Sequence, residues 1–174
     1  RPVLINNWEA TYFDFTGDKL VEIAKDAFDM GIELFVMDDG WFGKRDDDNS
    51  GLGDWYPNEK KLGCTLKELG EKITATGMKF GIWFEPESIS IDSDLYRAHP
   101  DWVIQQPGRL PNLSRNELVL DFSRVDVQDY ILERIRAILT EAPISYIKWD
   151  MNRSICDKYS NQLDALHQGE FAHR

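Results

Sequence analysis

The chain has 174 residues, 42% of them hydrophobic, with a formal charge of −11 and a pI near 4.7. That length and apolar content suit one globular domain with a sizeable core, while the acidic balance argues against nucleic acid, whose phosphates are gripped by clustered Lys and Arg. No apolar run reaches the roughly 18 residues of a membrane span, so no membrane partner is expected. Arg1 and Arg174 end the chain without a targeting signal, which reads as an internal piece of a longer polypeptide. Cys64 and Cys156 are far apart and in no metal-ligand spacing, so reduced thiols and a cytoplasmic setting are expected.

Residues 3–8 start apolar and end in Asn6-Asn7-Trp8, the pattern of a buried strand with a polar tip. Thr16 is a candidate N-cap for a helix whose apolar positions Leu20, Ile23, Ala24, Ala27 and Phe28 keep helical spacing up to Gly31. A second strand, residues 33–37, runs into Asp38-Asp39-Gly40-Trp41. Next comes Asp46-Asp47-Asp48-Asn49-Ser50-Gly51, which imitates the opening of a calcium loop. Pro57 stands where that loop needs its bidentate Glu, so no metal is expected and the segment reads as a solvated loop. Leu66, Leu69 and Ile73 mark a helix closed by Gly77, and strand 79–84 leads into Glu85-Pro86-Glu87.

An irregular excursion, residues 88–116, is punctuated by Pro100, Pro107 and Pro111 before residues 118–122 read as extended; loops this long are usually functional or disordered. Val127, Tyr130, Ile131, Arg134, Ile135 and Ile138 give a helix face, with Pro143 after it. Residues 144–149 are a strong strand ending in Asp150-Met151-Asn152-Arg153, and residues 163–174 read as the start of another helix. His99, His167 and His173 have no partner at metal-ligand spacing and are expected at the surface. The N-glycosylation patterns at Asn112 and Asn152 are too short to carry weight.

Strands alternating with helices imply an α/β fold with a parallel sheet, either doubly wound or closed as a barrel. No G-x-G-x-x-G or P-loop follows any strand, so the nucleotide signatures of open sheets are absent and no cofactor is expected. Polar and aromatic residues gather at the C-terminal ends of several strands, where barrel enzymes place their chemistry. The expectation is the N-terminal half of a (β/α)8 TIM barrel, about four βα units, because a complete barrel needs ~250 residues.

In residues 146–150, Tyr146, Lys148 and Asp150 share one strand face, while Ile147 and Trp149 share the other and should pack on outer helices. Lys148 would keep Asp150 ionised, as a nucleophile must be; a purely structural Lys–Asp pair reads equally well from this strand alone. Asn6 and Trp8, Asp38 and Asp39, and Trp83 and Glu85 end three other strands, and this convergence favours a site. Glu85 and Glu87, flanking Pro86, are expected either to be structural or to support the site from behind.

Four motifs, Asn6-Asn7-Trp8-Glu9-Ala10, Asp38-Asp39-Gly40-Trp41, Trp83-Phe84-Glu85-Pro86-Glu87 and Lys148-Trp149-Asp150-Met151-Asn152-Arg153, together resemble family 36 of the glycoside hydrolases, the bacterial α-galactosidases. The resemblance spans nearly the whole chain and implies a retaining hydrolase of terminal α-galactosides such as melibiose and raffinose. By that resemblance Asp150 is the nucleophile, Asp38 and Asp39 bind galactose hydroxyls, Trp8 and Trp83 shape the pocket, and Arg115, Lys148 and Asn152 hydrogen-bond the sugar. It places the nucleophile on the fourth barrel strand, which moves residues 118–122 into the excursion, and it puts the partner acid/base on a later strand. Residues 1–174 are then one partial catalytic domain, cut before the acid/base strand and inactive alone, its intact parent a homo-oligomer. A galactosyl transglycosylase and a non-catalytic sugar-binding half-barrel are the competing readings.

Overall fold

The computed structural model describes residues 1–168. In chain order it opens with β1 (Leu4–Asn6), the one-turn helix α1 (Trp8–Thr11), α2 (Gly17–Asp29), β2 (Leu34–Met37), the one-turn helix α3 (Glu59–Leu62), α4 (Leu66–Ala75) and β3 (Lys79–Phe84). It continues with β4 (Ser88–Ser90), the short helix α5 (Asp94–Ala98), β5 (Glu117–Val119), α6 (Val125–Glu141) and β6 (Ile144–Trp149).

Strands β1, β2, β3 and β6 form one parallel sheet in sequential order. A sequential order has no reversal, and so lacks the switch point at which doubly wound sheets bind ligands. Phe35, Met37, Phe80, Ile82 and Phe84 are fully buried in one core with the inward faces of α2 and α4. Each such side chain contributes roughly 1.5–3 kcal/mol by leaving water.

The helices obey their local signals. Thr16 caps α2 by accepting from the Lys19 amide at 3.3 Å, and Leu20, Val21, Ala24 and Ala27 face the core. Thr65 and Glu68 form a capping box at the start of α4, two orphan backbone donors being satisfied at once. α6 lacks a side-chain cap and is held by its buried stripe of Val127, Ile131, Ile135 and Ile138. Replacing Ile131 with Ala would cost about 2–5 kcal/mol.

Residues 118–122 do not join the main sheet: Glu117–Val119 pairs antiparallel with Ser88–Ser90, so the excursion folds as its own two-stranded layer, in agreement with the family resemblance rather than with periodicity alone. The acidic segment is the solvated loop expected, with Asp46, Asp47 and Asn49 exposed, but it is flanked by the buried side chains of Trp41, Phe42, Leu52 and Trp55, and Arg45 is buried with them. Gly51, at φ +76°, makes that tight path possible, since a Cβ there would lie 2.9 Å from the Arg45 amide nitrogen. Trp149 is 53% exposed instead of packing on a helix, its indole N–H donating to Glu87 at 2.9 Å, whereas Ile147 does pack on the core.

Residues 163–168 form turns rather than a helix; the rest of that expected helix, with His173, lies outside the described residues. His99 stacks on Trp102 at 3.9 Å, and His167 pairs with Asp164 at 2.7 Å on the surface. Both cysteines are free.

Candidate active site

Strand register builds the site. Asn6 pairs with Val36, Val36 with Gly81 and Gly81 with Tyr146. Alternate residues share a face, so Asn6, Asp38, Trp83, Glu85, Lys148 and Asp150 converge on one side of the sheet at its C-terminal rim.

Asp150 is half-buried and held by three donors. Trp83 Nε1 and Asn152 Nδ2 donate to Oδ2 at 2.9 and 3.0 Å, and the Met151 amide donates to Oδ1 at 3.0 Å. Burial alone would raise its pKa, but the hydrogen bonds from Trp83 and Asn152 and the Lys148 charge outweigh it, and the carboxyl sits below its ordinary value. Its form at neutral pH is the carboxylate. Asn152 is fixed in turn by Glu85, which accepts from its backbone N at 2.6 Å and from its Nδ2 at 2.8 Å, and also from Ser88 Oγ at 3.2 Å. Glu85 thus supports the site from behind, as expected. Glu87 has the structural role, accepting from the Trp149 indole N–H at 2.9 Å.

Asp38 bridges three strands: Lys148 Nζ and Asn6 Nδ2 both donate to its Oδ2 at 2.8 Å, and Asn7 Oδ1 accepts from its backbone N at 2.8 Å. Lys148 therefore leans toward Asp38 while lying close enough to Asp150 to stabilise its charge. Asp39 is gripped by Arg45, whose Nε and Nη2 reach its carboxylate at 3.1 and 3.0 Å. Burial lifts the Asp39 pKa above its ordinary value even so, because it outweighs the charge and hydrogen bonds of Arg45.

Trp83 is buried and stacked parallel to Phe42 at 6.1 Å, so it touches the site through its N–H alone. Trp8 is half-buried, edge-on to Tyr12 and Phe13. Arg115 stands at φ +54° beside Asn116 at +60°, in a two-residue turn closed by the Glu117 amide donating to Ser114 O at 3.0 Å. That pair of positive φ values is the requirement of a type I′ hairpin, which seldom employs Arg. The Arg115 guanidinium lies 3.8 Å from Asp48 and 3.9 Å from Glu117.

Of the acidic loop, Asp46 accepts from Lys61 at 3.0 Å and Asp48 faces Arg45 at 3.8 Å, so these carboxylates are turned to cations of the fold. Among the described residues no group of three or more His, Cys, Asp or Glu side chains could hold a metal ion.

The Melibiase family model matches residues 1–174. The chain belongs to the Melibiase family. It is 60% identical over 163 residues to the bifunctional alpha-galactosidase/sucrose kinase AgaSK of Mediterraneibacter gnavus, covering 94% of this chain and 17% of that protein. Its identity to alpha-galactosidase AgaA of Geobacillus stearothermophilus is 54%, over 100% of this chain and 24% of the relative. The crystal structure of AgaA superposes with a TM-score of 0.97 over 99% of this chain and 24% of that one. A variant of the same enzyme in complex with raffinose gives 0.96 at 53% identity, again over 99% and 24%. The chain thus spans about a quarter or less of these relatives.

Within this Melibiase domain, sequence reasoning overlooked Arg45 and Glu117 altogether and gave Asn7 no role. Asn7 is fully buried and couples α1 to β2 through the Asp38 amide. The run Lys44-Arg45-Asp46-Asp47-Asp48 reads as a charged surface, and Lys44, Asp46 and Asp47 are exposed, but Arg45 alone is buried; the glycines and aromatics on either side were the signal that a side chain there could turn inward.

Proposed function

We propose that this chain carries the nucleophile half of a retaining α-galactosidase, acting on terminal α-linked galactose of sugars such as melibiose and raffinose. The observation that carries the reading is Asp150: an ionised carboxylate, oriented by Trp83, Asn152 and the Met151 amide, among hydroxyl-binding side chains from all four strands of the main sheet. The four sequential parallel strands form the N-terminal half of a (β/α)8 barrel in this reading. The names of AgaSK and AgaA, and the raffinose bound to the AgaA variant, support the sugar class.

In the reaction an Asp150 oxygen attacks the anomeric carbon as the glycosidic C–O bond breaks, giving a covalent galactosyl ester. A second carboxyl group, ~5–5.5 Å away in retaining enzymes, protonates the leaving oxygen and then draws a proton from the water that opens the ester. Asp38 and Glu85 are engaged by Lys148 with Asn6 and by Asn152 with Ser88, which leaves them suited to holding rather than to proton transfer. In this reading the acid/base is the carboxyl group that the family resemblance puts on a later barrel strand. Asp38, Asp39, Arg115, Lys148 and Asn152 hold the galactose hydroxyls, and Trp8 forms a wall of the pocket.

The test is release of nitrophenol from nitrophenyl α-galactoside by the intact protein, with the α-glucoside as control. Turnover of the galactoside, lost by at least about 10⁴-fold in a folded Asp150→Ala variant, is the expected result. Activity retained by that variant would overturn the nucleophile assignment.

A further inference from the structure

Glu117 is the unusual group of the site. Its side chain is fully buried, yet neither carboxyl oxygen has a hydrogen-bond partner among the described residues. Oε1 lies 3.9 Å from Arg45 and 3.9 Å from Arg115, too far for hydrogen bonds. Both guanidinium groups are already in demand: Arg45 grips Asp39, and Arg115 also faces Asp48 at 3.8 Å. The carboxylates of Glu85 and Asp39 add negative charge nearby, while Arg153 donates to the Glu117 backbone carbonyl and so fixes the residue from outside. Glu117 follows directly on the Arg115–Asn116 turn, whose backbone keeps the two residues neighbours, while the Arg115 side chain, 46% exposed against a fully buried Glu117, has room to turn.

We propose that Glu117 is a positioning residue that competes with the sugar for Arg115: as a neutral acid it leaves the guanidinium free to reach galactose, and as a carboxylate it draws it back. The inference rests on the galactoside reading of the site. Burial first, and then the Glu85 charge, push the Glu117 pKa up to about 7 against the opposing pull of Arg45 and Arg115, so both forms are present near neutrality. Moving Arg115 onto the sugar removes positive charge from beside Glu117. Sugar binding then favours the protonated form and takes up a proton.

The experiment measures KM and kcat of the intact protein on nitrophenyl α-galactoside between pH 5.5 and 8.5. In the wild type KM is expected to rise roughly tenfold as Glu117 ionises, the loss of one charged hydrogen bond to the sugar. Glu117→Gln, permanently neutral, is expected to hold KM flat near the acidic-limit value of the wild type. A Glu117→Gln profile that still rises with pH, or an effect confined to kcat, overturns the proposal. Should that variant fail to fold, calorimetry of D-galactose binding to the wild type at pH 7, in two buffers of different ionisation enthalpy, decides instead: proton uptake supports the proposal and its absence overturns it. No nitrophenol release at any pH would defeat the galactosidase reading itself, a result distinct from turnover with a flat KM.

Discussion

The indole nitrogen of Trp83 lies 2.9 Å from Oδ2 of Asp150, and the ring behind it is buried against Phe42 and Trp55. A donor anchored in the core cannot rotate away when the carboxylate changes charge. The bond lowers the Asp150 pKa, so Trp83→Phe, which removes the N–H and keeps an aromatic ring, raises it. The acidic limb of kcat/KM moves to higher pH, and the plateau falls roughly tenfold, the worth of one hydrogen bond to a charged group. A pH–rate profile of the intact protein checks this; an unmoved acidic limb would show that the bond does no electrostatic work.

Arg45 is buried and is the cation that grips Asp39. Arg45→Ala leaves a buried carboxylate unpaired and is expected to destabilise the protein by about 3–5 kcal/mol, read by denaturant unfolding. Arg45→Lys should recover only part of this, because a point charge cannot replace the fork that meets both Asp39 oxygens. The pH dependence follows from the raised Asp39 pKa. The linked stability is fully present below the ordinary carboxylate pKa and is lost as pH rises through the folded value. Removing Arg45 raises that folded value further, so the variant loses stability over a wider pH span than the wild type.

Lys148 serves two carboxylates at once, bonding Asp38 at 2.8 Å and lowering the pKa of Asp150 by its charge. Lys148→Met is therefore expected to weaken sugar binding and to shift the acidic limb upward together. Its side chain is about one-third exposed, so water screens the loss and the stability cost is held to about 1–2 kcal/mol. Kinetics and denaturant unfolding on the same preparation separate the two effects.

Asn116→Gly removes a Cβ from a residue at φ +60° and is expected to stabilise the protein by about 0.5–1 kcal/mol, measured as a rise in Tm. Activity is the second readout. If the turn keeps its shape, KM for the galactoside stays put; a raised KM would mean that the Asn116 amide bond to Asn49, 2.8 Å, helps to hold Arg115 in place.

Period-two alternation was enough to place Lys148 and Asp150 on one face and to find the strand ends that meet them, because strand geometry is local. It did not place Trp149, whose side of the strand offers Glu87 rather than a packed helix. Arg45 escaped notice for a similar reason: it is buried together with Trp41, Phe42 and Trp55 of the same connection between β2 and α3, and nothing within the run of charges signals that. The excursion was legible only as a long break. Its hairpin turn is made by Arg-Asn in a conformation that local propensity assigns to Asn-Gly, so the constraint comes from the surrounding layer.

The Lys148–Asp38 contact joins positions 110 residues apart. A galactose held between Asp38 and Asp150 would close the same span, acting as a removable cross-link between the second and last strands of the sheet. It would bind only when those strands are in register, so at 100 times its Kd it would add about 2.7 kcal/mol to the folded state. A non-hydrolysable galactoside would then rescue a destabilised variant such as Ile131→Ala without touching its lesion, and the sugar would serve the chain as a folding partner as well as a substrate.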